Sequence, residues 1–271
     1  MINMIEIQEM ERNLNFFKPH QLDDLKKASL MNRVDTKFIV PINMLTYIFE
    51  TIKNQYTILE IDSKRVFEYQ NVYFDTPDFI FYRHHHNGKL NRFKVRCRNY
   101  VDSDLSFLEV KFKDNKKRTH KNRIRVDSHS NELIFNSDIF LNKFGIKTPQ
   151  DLIEVQKGGY HRIALADEEN AERLTIDLNL YFKNSTSQTT RRIKDHAIFE
   201  LKQAKLNRNS IFFKVMQELS IKPSSFSKYC IGMAVMDEDK KIKVNNFKQI
   251  MRKVAFNTEE KQNIEQAESA A

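Results

Sequence analysis

The nine residues Arg92-Phe93-Lys94-Val95-Arg96-Cys97-Arg98-Asn99-Tyr100 place a cation at every second position from Arg92 to Arg98, with Phe93, Val95 and Cys97 between them. Residues two apart share one face of a strand, so one side of this segment is a row of four cations and the other is apolar. Such a row suits phosphate: the arginine fork holds two oxygens at once, and lysine supplies a mobile point charge. The same sorting recurs along the chain. Glu109, Lys111 and Lys113 oppose Leu108, Val110 and Phe112, and Lys121, Arg123 and Arg125 oppose Ile124 and Val126. Arg173, Thr175, Asp177 and Asn179 oppose Leu174, Ile176, Leu178 and Leu180, while Glu200 and Lys202 oppose Phe199 and Leu201. Arg33, Asp35 and Lys37 share a further face.

The cationic excess is local. Across 271 residues, 45 Lys and Arg stand against 36 Asp and Glu, a net charge of +9, and residues 89–125 alone hold 13 basic and 4 acidic side chains. A concentrated patch of this kind attracts a polyanion: nucleic acid, an anionic membrane or a phosphate chain. Base stacking on single strands calls for aromatic side chains among the cations, and these faces show hardly any, which argues against nucleic acid. With five glycines and no GxxxxGK[ST] pattern, phosphate must be held by side chains rather than by a glycine-rich loop. Two isolated cysteines, Cys97 and Cys230, suit neither a disulfide framework nor a cysteine metal site. The first residues lack the basic and apolar blocks of a signal peptide, and no stretch is long and apolar enough to span a membrane, so a cytoplasmic location is expected.

These faces need strands to carry them. Alternation predicts strands at 33–40, 56–61, 67–74, 89–100, 105–113, 118–126, 159–166, 172–182 and 196–203. Helical spacing predicts a helix after Pro41, a short helix or turn ending at Gly88, and helices over 210–219 and 226–236. Residues 1–29 read as an N-terminal helical region, 30–240 as one domain, and 241–271 as a polar tail that is mobile at its end. Hairpin-like strands with inserted helices define an α+β protein. The charged faces have two readings. They point to water, as antiparallel sheets with one buried side commonly do, or the sheet closes into a barrel with the charges inside around an anion and helices over the apolar outside.

The ordered set RVDTKF, VYFDTPDFIFY, RFKVRCRNY, FLEVKFK, KNRIRV, YHRIAL, RLTIDLNLYF, IFELKQ and FSKYCIGM resembles the VTC domain of polyphosphate polymerases, within the triphosphate tunnel (CYTH-like) superfamily. The resemblance runs from about residue 30 to 236. It implies an antiparallel β-barrel tunnel with helices packed outside. It also implies transfer of the terminal phosphate of ATP to a growing polyphosphate chain, with Mn²⁺ or Mg²⁺ as cofactor. Residue by residue, it places Lys37, Arg96, Arg98, Lys111, Arg162, Arg173 and Lys228 at the chemistry and Glu200 at the metal. Arg33, Lys94, Lys121, Arg123, Arg125 and Lys202 join as substrate-binding cations, and Glu109 as a second metal ligand. Eukaryotic members add a phosphate-sensing domain and transmembrane helices; a separate membrane partner would replace them here.

The residues leave alternatives open. Glu200 and Glu109 are equally suited to be cross-strand partners of Lys or Arg, and Asp177 to be a second carboxylate or a partner of Arg173. Lys121, Arg123 and Arg125 either line a tunnel or decorate its mouth. His84, His85 and His86 read as a solvated turn rather than a metal site, since adjacent side chains point apart. Asp75 and Asp78 read as turn or cap formers. A triphosphatase and a non-catalytic polyphosphate binder are the rival functions. Hydrolysing superfamily members carry Glu-x-Glu-x-Lys on the first strand, where this chain has Arg33-x-Asp35-x-Lys37.

Overall fold

A computed structural model describes residues 14–24, 33–116, 118–126, 137–146, 151–185, 187 and 189–259. In chain order its main elements are β1 (Lys18–His20), β2 (Val34–Pro41), α1 (Leu45–Ile52), β3 (Thr57–Leu59), β4 (Phe67–Asp75), α2 (Ile80–His86) and β5 (Arg92–Tyr100). Then come β6 (Leu105–Lys113), β7 (Thr119–Val126), α3 (Asp138–Asn142), β8 (Ile153–Asp167), β9 (Glu172–Asn184) and β10 (Thr190–Ile193). The order closes with β11 (His196–Gln203), α4 (Ile211–Glu218), α5 (Lys228–Val235), α6 (Lys248–Lys253) and β12 (Phe256–Glu259). The architecture is α+β, with a mostly antiparallel sheet in which β1 and β3 pair in parallel.

The alternating segments form strands at the expected places. Three short strands, β1, β10 and β12, and two short helices, α3 and α6, escape periodicity because three to six residues do not complete a recognisable pattern. The N-terminal helical reading is corrected in its described part: residues 18–20 form β1, drawn into the sheet by three partners on β3. Leu22–Asp24 form a short 3₁₀ helix, while residues 1–13 and 25–29 of that region, and the final twelve residues of the tail, lie outside the described residues. The hydrogen-bonded strand path is open among the described residues, running from β12 to β7. The closed barrel is therefore not what these pairings make. β7 ends the path with exposed Lys, Arg and His side chains, the kind of charged edge that resists further strand addition.

The chain divides into two compact units, each assembled from three segments. The first takes residues up to 68, 160–180 and 194–226. In its sheet, β11 lies between β2 and β9, antiparallel to both. One face of that sheet carries Phe38 and Val40, Leu174, Ile176 and Leu178, and Ala197, Phe199 and Leu201, all buried against Ile48, Phe49 and Ile52 of α1 and Phe212, Val215 and Met216 of α4. Ser210 starts α4 by accepting a hydrogen bond from the Phe213 amide, the usual service of a serine at that position.

The second unit takes residues 69–159, 181–193 and 227 onward. Its antiparallel ladder β4-β5-β6-β7 buries Val72, Phe74, Val95, Cys97, Leu108 and Val110 under Phe81 of α2 and Leu141 of α3. Asp75 builds the start of α2: its fully buried carboxylate accepts hydrogen bonds from the amides of Phe81 and Tyr82, each at 2.9 Å, and from the Tyr229 hydroxyl. The capping role expected of Asp75 is therefore seen. At the other end Gly88, with φ +68, adopts the left-handed conformation that glycine tolerates after a helix. The histidines are not a solvated turn, which is a second correction. All three lie in α2, and His86 is buried against Phe247 because the tail folds back over it. Gly159 permits another close approach, since a Cβ there would stand 2.6 Å from the Tyr181 ring.

Candidate functional site

In each unit, the sheet face opposite the apolar core is polar, and it carries the residues singled out from sequence. In the first unit the pairing register aligns Lys37 with Glu200 and Thr175 in one row, and Asp35 with Lys202 and Arg173 in the next. Lys37 Nζ donates to Glu200 Oε1 at 3.1 Å, and Lys202 Nζ lies 3.1 Å from Glu200 Oε2 and donates to Thr175 Oγ1 at 3.3 Å. Arg162 grips Asp177 with both arms of its fork, Nε to Oδ1 at 2.6 Å and Nη2 to Oδ2 at 2.9 Å. Arg33 Nε meets Asp35 Oδ1 at 3.0 Å. Asp177 is thus the partner of Arg162, not of Arg173. The structure brings Arg33, Lys37, Arg162, Arg173, Glu200 and Lys202 onto this one face.

Electrostatics follow from that packing. Burial lowers the Lys202 pKa, with Glu200 opposing the shift. Burial also lowers that of Arg173, and Arg33 adds to it by like-charge repulsion. A lysine directly opposite an arginine across a ladder is unfavourable by itself. Lys202 and Arg173 stand in that relation, which makes an oxyanion between them a stabilising guest.

The second unit is more lopsided. Lys94, Lys111 and Lys121 form one row across β5, β6 and β7; Arg96, Glu109 and Arg123 form the next; Arg98, Phe107 and Arg125 form a third. On these three rows Glu109 is the single carboxylate. Arg96 places Nε 2.7 Å and Nη2 2.6 Å from its Oε2, while Lys121 Nζ lies 2.6 Å from its Oε1. Burial pushes the Glu109 carboxyl up, but Arg96, Arg98 and Lys121 outweigh burial and hold it below the usual carboxylate range. Burial pushes the Lys121 ammonium down to about 8 against the pull of Glu109. Arg98 is 7% exposed and donates from Nε to Asn71 Oδ1 at 3.2 Å, and Lys94 Nζ donates to Ser227 Oγ at 2.7 Å. Ser227 also caps α5, whose first residue is Lys228, so this lysine enters the unit at a fixed helix start. Asn71 and Ser227 are orienting residues that the sequence reading missed. Asn71 was legible in principle, since it lies on the strand preceding RFKVRCRNY.

A hard divalent cation needs oxygen ligands, and Mg²⁺ in particular keeps several waters and takes one or two carboxylates plus phosphate oxygens. Among the described residues no group of three or more His, Cys, Asp or Glu could hold a metal ion. Glu200 nevertheless fits such an ion: its carboxylate is partly exposed, and the two lysines on it could turn to substrate phosphate. Glu109 fits poorly, because its side chain is 2% exposed and both oxygens are taken by cations.

An α+β chain with two cation-lined sheet faces is the frame of a side-chain phosphate binder. A sequence model of the VTC domain matches residues 32–237, and the chain belongs to the VTC domain family. No curated protein sequence matches it. Solved structures similar to it include a Bacillus halodurans protein described as an adenylate cyclase, with 12% identity over 72% of this chain and 94% of that one and a TM-score of 0.49. A Hippeastrum protein described as having a dominant triphosphatase activity shows 11% identity over 76% of this chain and 96% of that one, TM-score 0.47. Among the described residues no helix is long and apolar enough to cross a membrane.

Proposed function

We propose that the protein is a metal-dependent polyphosphate polymerase, moving the terminal phosphoryl group of ATP to the end of an inorganic polyphosphate chain. The observation that carries this reading is the contrast within the polar faces. Cations are plentiful, and the carboxylates of the site, Glu200, Glu109 and Asp177, are all engaged by cations. Phosphoryl transfer needs positioning and charge neutralisation more than a protein nucleophile. A phosphate acceptor is already an oxyanion, so no general base has to take a proton from it. Water as acceptor would be served better by a carboxylate available for that proton. Paired carboxylates therefore favour the polymerase over the triphosphatase, and Arg33 and Asp35, where hydrolysing relatives carry glutamates, point the same way.

In this reading Arg96 and Arg98 hold the phosphates of donor and chain, with Lys94, Lys111, Lys121, Arg123 and Arg125 extending the track. Lys228 is a further phosphate-binding cation of the second unit, and Lys37, Arg162, Arg173 and Lys202 neutralise phosphate oxygens on the first unit's own face. The bond from the γ-phosphorus to the bridging oxygen breaks, a bond to the chain's terminal oxygen forms, and ADP leaves with the electron pair. Glu200 would hold Mn²⁺ or Mg²⁺, which when bound supplies further neutralisation of phosphate oxygens. Partners are ATP and polyphosphate rather than nucleic acid, a cytoplasmic location is assigned, and a separate membrane partner would handle export.

The test is to incubate the purified chain with ATP and Mn²⁺ and to resolve the products on a phosphate-stained gel. A ladder of lengthening chains is expected. Free phosphate without a ladder would replace this reading with the triphosphatase, and tight polyphosphate binding without turnover would replace it with the binding module.

A further inference from the structure

Within the second unit, the first turn of α5 is tied down on both sides of Lys228. Just before the helix, Ser227 Oγ accepts a hydrogen bond from Lys94 Nζ of β5 at 2.7 Å; just inside it, the Tyr229 hydroxyl donates to the buried Asp75 carboxylate. The Tyr229 ring stacks on Tyr73 of β4, with centres 5.3 Å and planes 26° apart, and meets Tyr82 of α2 edge-on at 6.4 Å. Tyr73 is the direct pairing partner of Arg96 on β5. Every residue of α5 from Tyr229 to Val235 is buried, and Lys228 is half-buried. The two ties therefore set Lys228 beside the rows that carry Lys94 and Arg96.

Starting a helix does not by itself call for this arrangement. Ser227 already caps α5, accepting from the Cys230 amide at 3.2 Å. Asp75 instead keeps a carboxylate wholly out of water, which is costly unless its oxygens are answered. They are answered by two amides of α2 and by the hydroxyl of α5, so one group fixes two helices. Burial and the neighbouring Asp75 push the Tyr229 pKa up, which keeps the hydroxyl a donor. Lysine carries its charge on a flexible four-carbon stem, so the placing of its backbone decides which oxygens the ammonium reaches. We propose that Asp75 and Tyr229 are positioning residues, which fix the start of α5 through the Tyr229 hydroxyl so that Lys228 reaches the phosphates held by Arg96. The inference rests on the phosphate-binding reading above and adds to it the pair that aims one of its cations.

Calorimetric binding of tripolyphosphate to the full chain, to Tyr229→Phe, to Lys228→Ala and to the double variant tests this. Tyr229→Phe keeps the ring and its stack and removes the hydroxyl alone. It should weaken binding by about fivefold, the scale of one hydrogen bond. In the Lys228→Ala background the same change should weaken binding no further, because a lysine that is absent cannot be misplaced. A hydroxyl that serves the fold alone would lower the melting temperature and weaken binding equally in both backgrounds or in neither. Either of those results overturns the positioning role and leaves the phosphate reading intact, as does Lys228→Ala binding as tightly as the unaltered chain. Failure of the unaltered chain to bind tripolyphosphate overturns both. Should Tyr229→Phe not fold, Asp75→Asn, which removes the charge that the hydroxyl answers, takes its place in the same cycle with the same deciding outcomes.

Discussion

The two polar sheet faces use the same residue types to opposite effect. In the first unit the charges largely answer one another: Glu200 sits between Lys37 and Lys202, Asp177 is clamped by Arg162, and Asp35 holds Arg33. In the second, the three rows across β5, β6 and β7 carry one carboxylate, Glu109, among Lys94, Arg96, Arg98, Lys111, Lys121, Arg123 and Arg125. Like charges opposite each other on a ladder repel; the first face sets Lys202 opposite Arg173, and the second sets Lys94 opposite Lys111 and Lys111 opposite Lys121, so the second gains more from a polyanion. In the proposed reading the second unit's face is the stronger phosphate-binding surface, and the first unit's face, which carries Glu200, is the more charge-balanced one.

The sharpest way to break this contrast is to strip its stronger side. Arg96→Ala with Arg98→Ala should reduce turnover by about a thousandfold or more, since single preorganised donors are commonly worth about a hundredfold or more. Circular dichroism should show the fold unchanged, and phosphate release assays give the rate. Glu200→Gln should lower metal-dependent turnover by about a hundredfold, yet leave tripolyphosphate binding in EDTA nearly unaltered by calorimetry. Loss of binding there would move the grip to the first unit. Glu109→Gln should cost about 3 kcal/mol in urea unfolding, as removal of one member of a buried ion pair does, without weakening polyphosphate binding. A shifted metal requirement at undiminished stability would instead make Glu109 a metal ligand.

The smallest effect is a titration. Burial sets the Lys121 pKa near about 8, and the charged ammonium is the form that attracts anions. Between about pH 7 and about pH 9 the ammonium is lost as pH rises, so tripolyphosphate binding should loosen by about twofold to fivefold, the scale of a half-exposed charge pair. Lys121→Arg keeps its charge throughout and should flatten that part of the profile.

Much of this was legible from alternation alone. Period-two sorting placed Val95 and Cys97 in the core and Arg96 and Arg98 on the opposite face, because a strand leaves no other choice. What alternation could not give was pairing. That Glu109 faces Arg96 and Arg123, or that Asp177 answers Arg162 rather than Arg173, depends on registers set by turns and by strands distant in sequence. Strands β1, β10 and β12 were invisible because each exists only through its neighbour.

The central claim is that the second unit's cation-rich face grips the phosphate chain. Its most direct measurement is the salt dependence of tripolyphosphate binding to the full chain, to Arg96→Ala/Arg98→Ala and to Arg33→Ala/Lys202→Ala. Each contact that releases a counterion steepens the fall of log K with log salt. The expected result is a steep slope for the unaltered chain, a clearly shallower one with weak binding when Arg96 and Arg98 are removed, and little change when Arg33 and Lys202 are removed. Equal losses from the two double variants, or a slope that survives removal of Arg96 and Arg98, would contradict it.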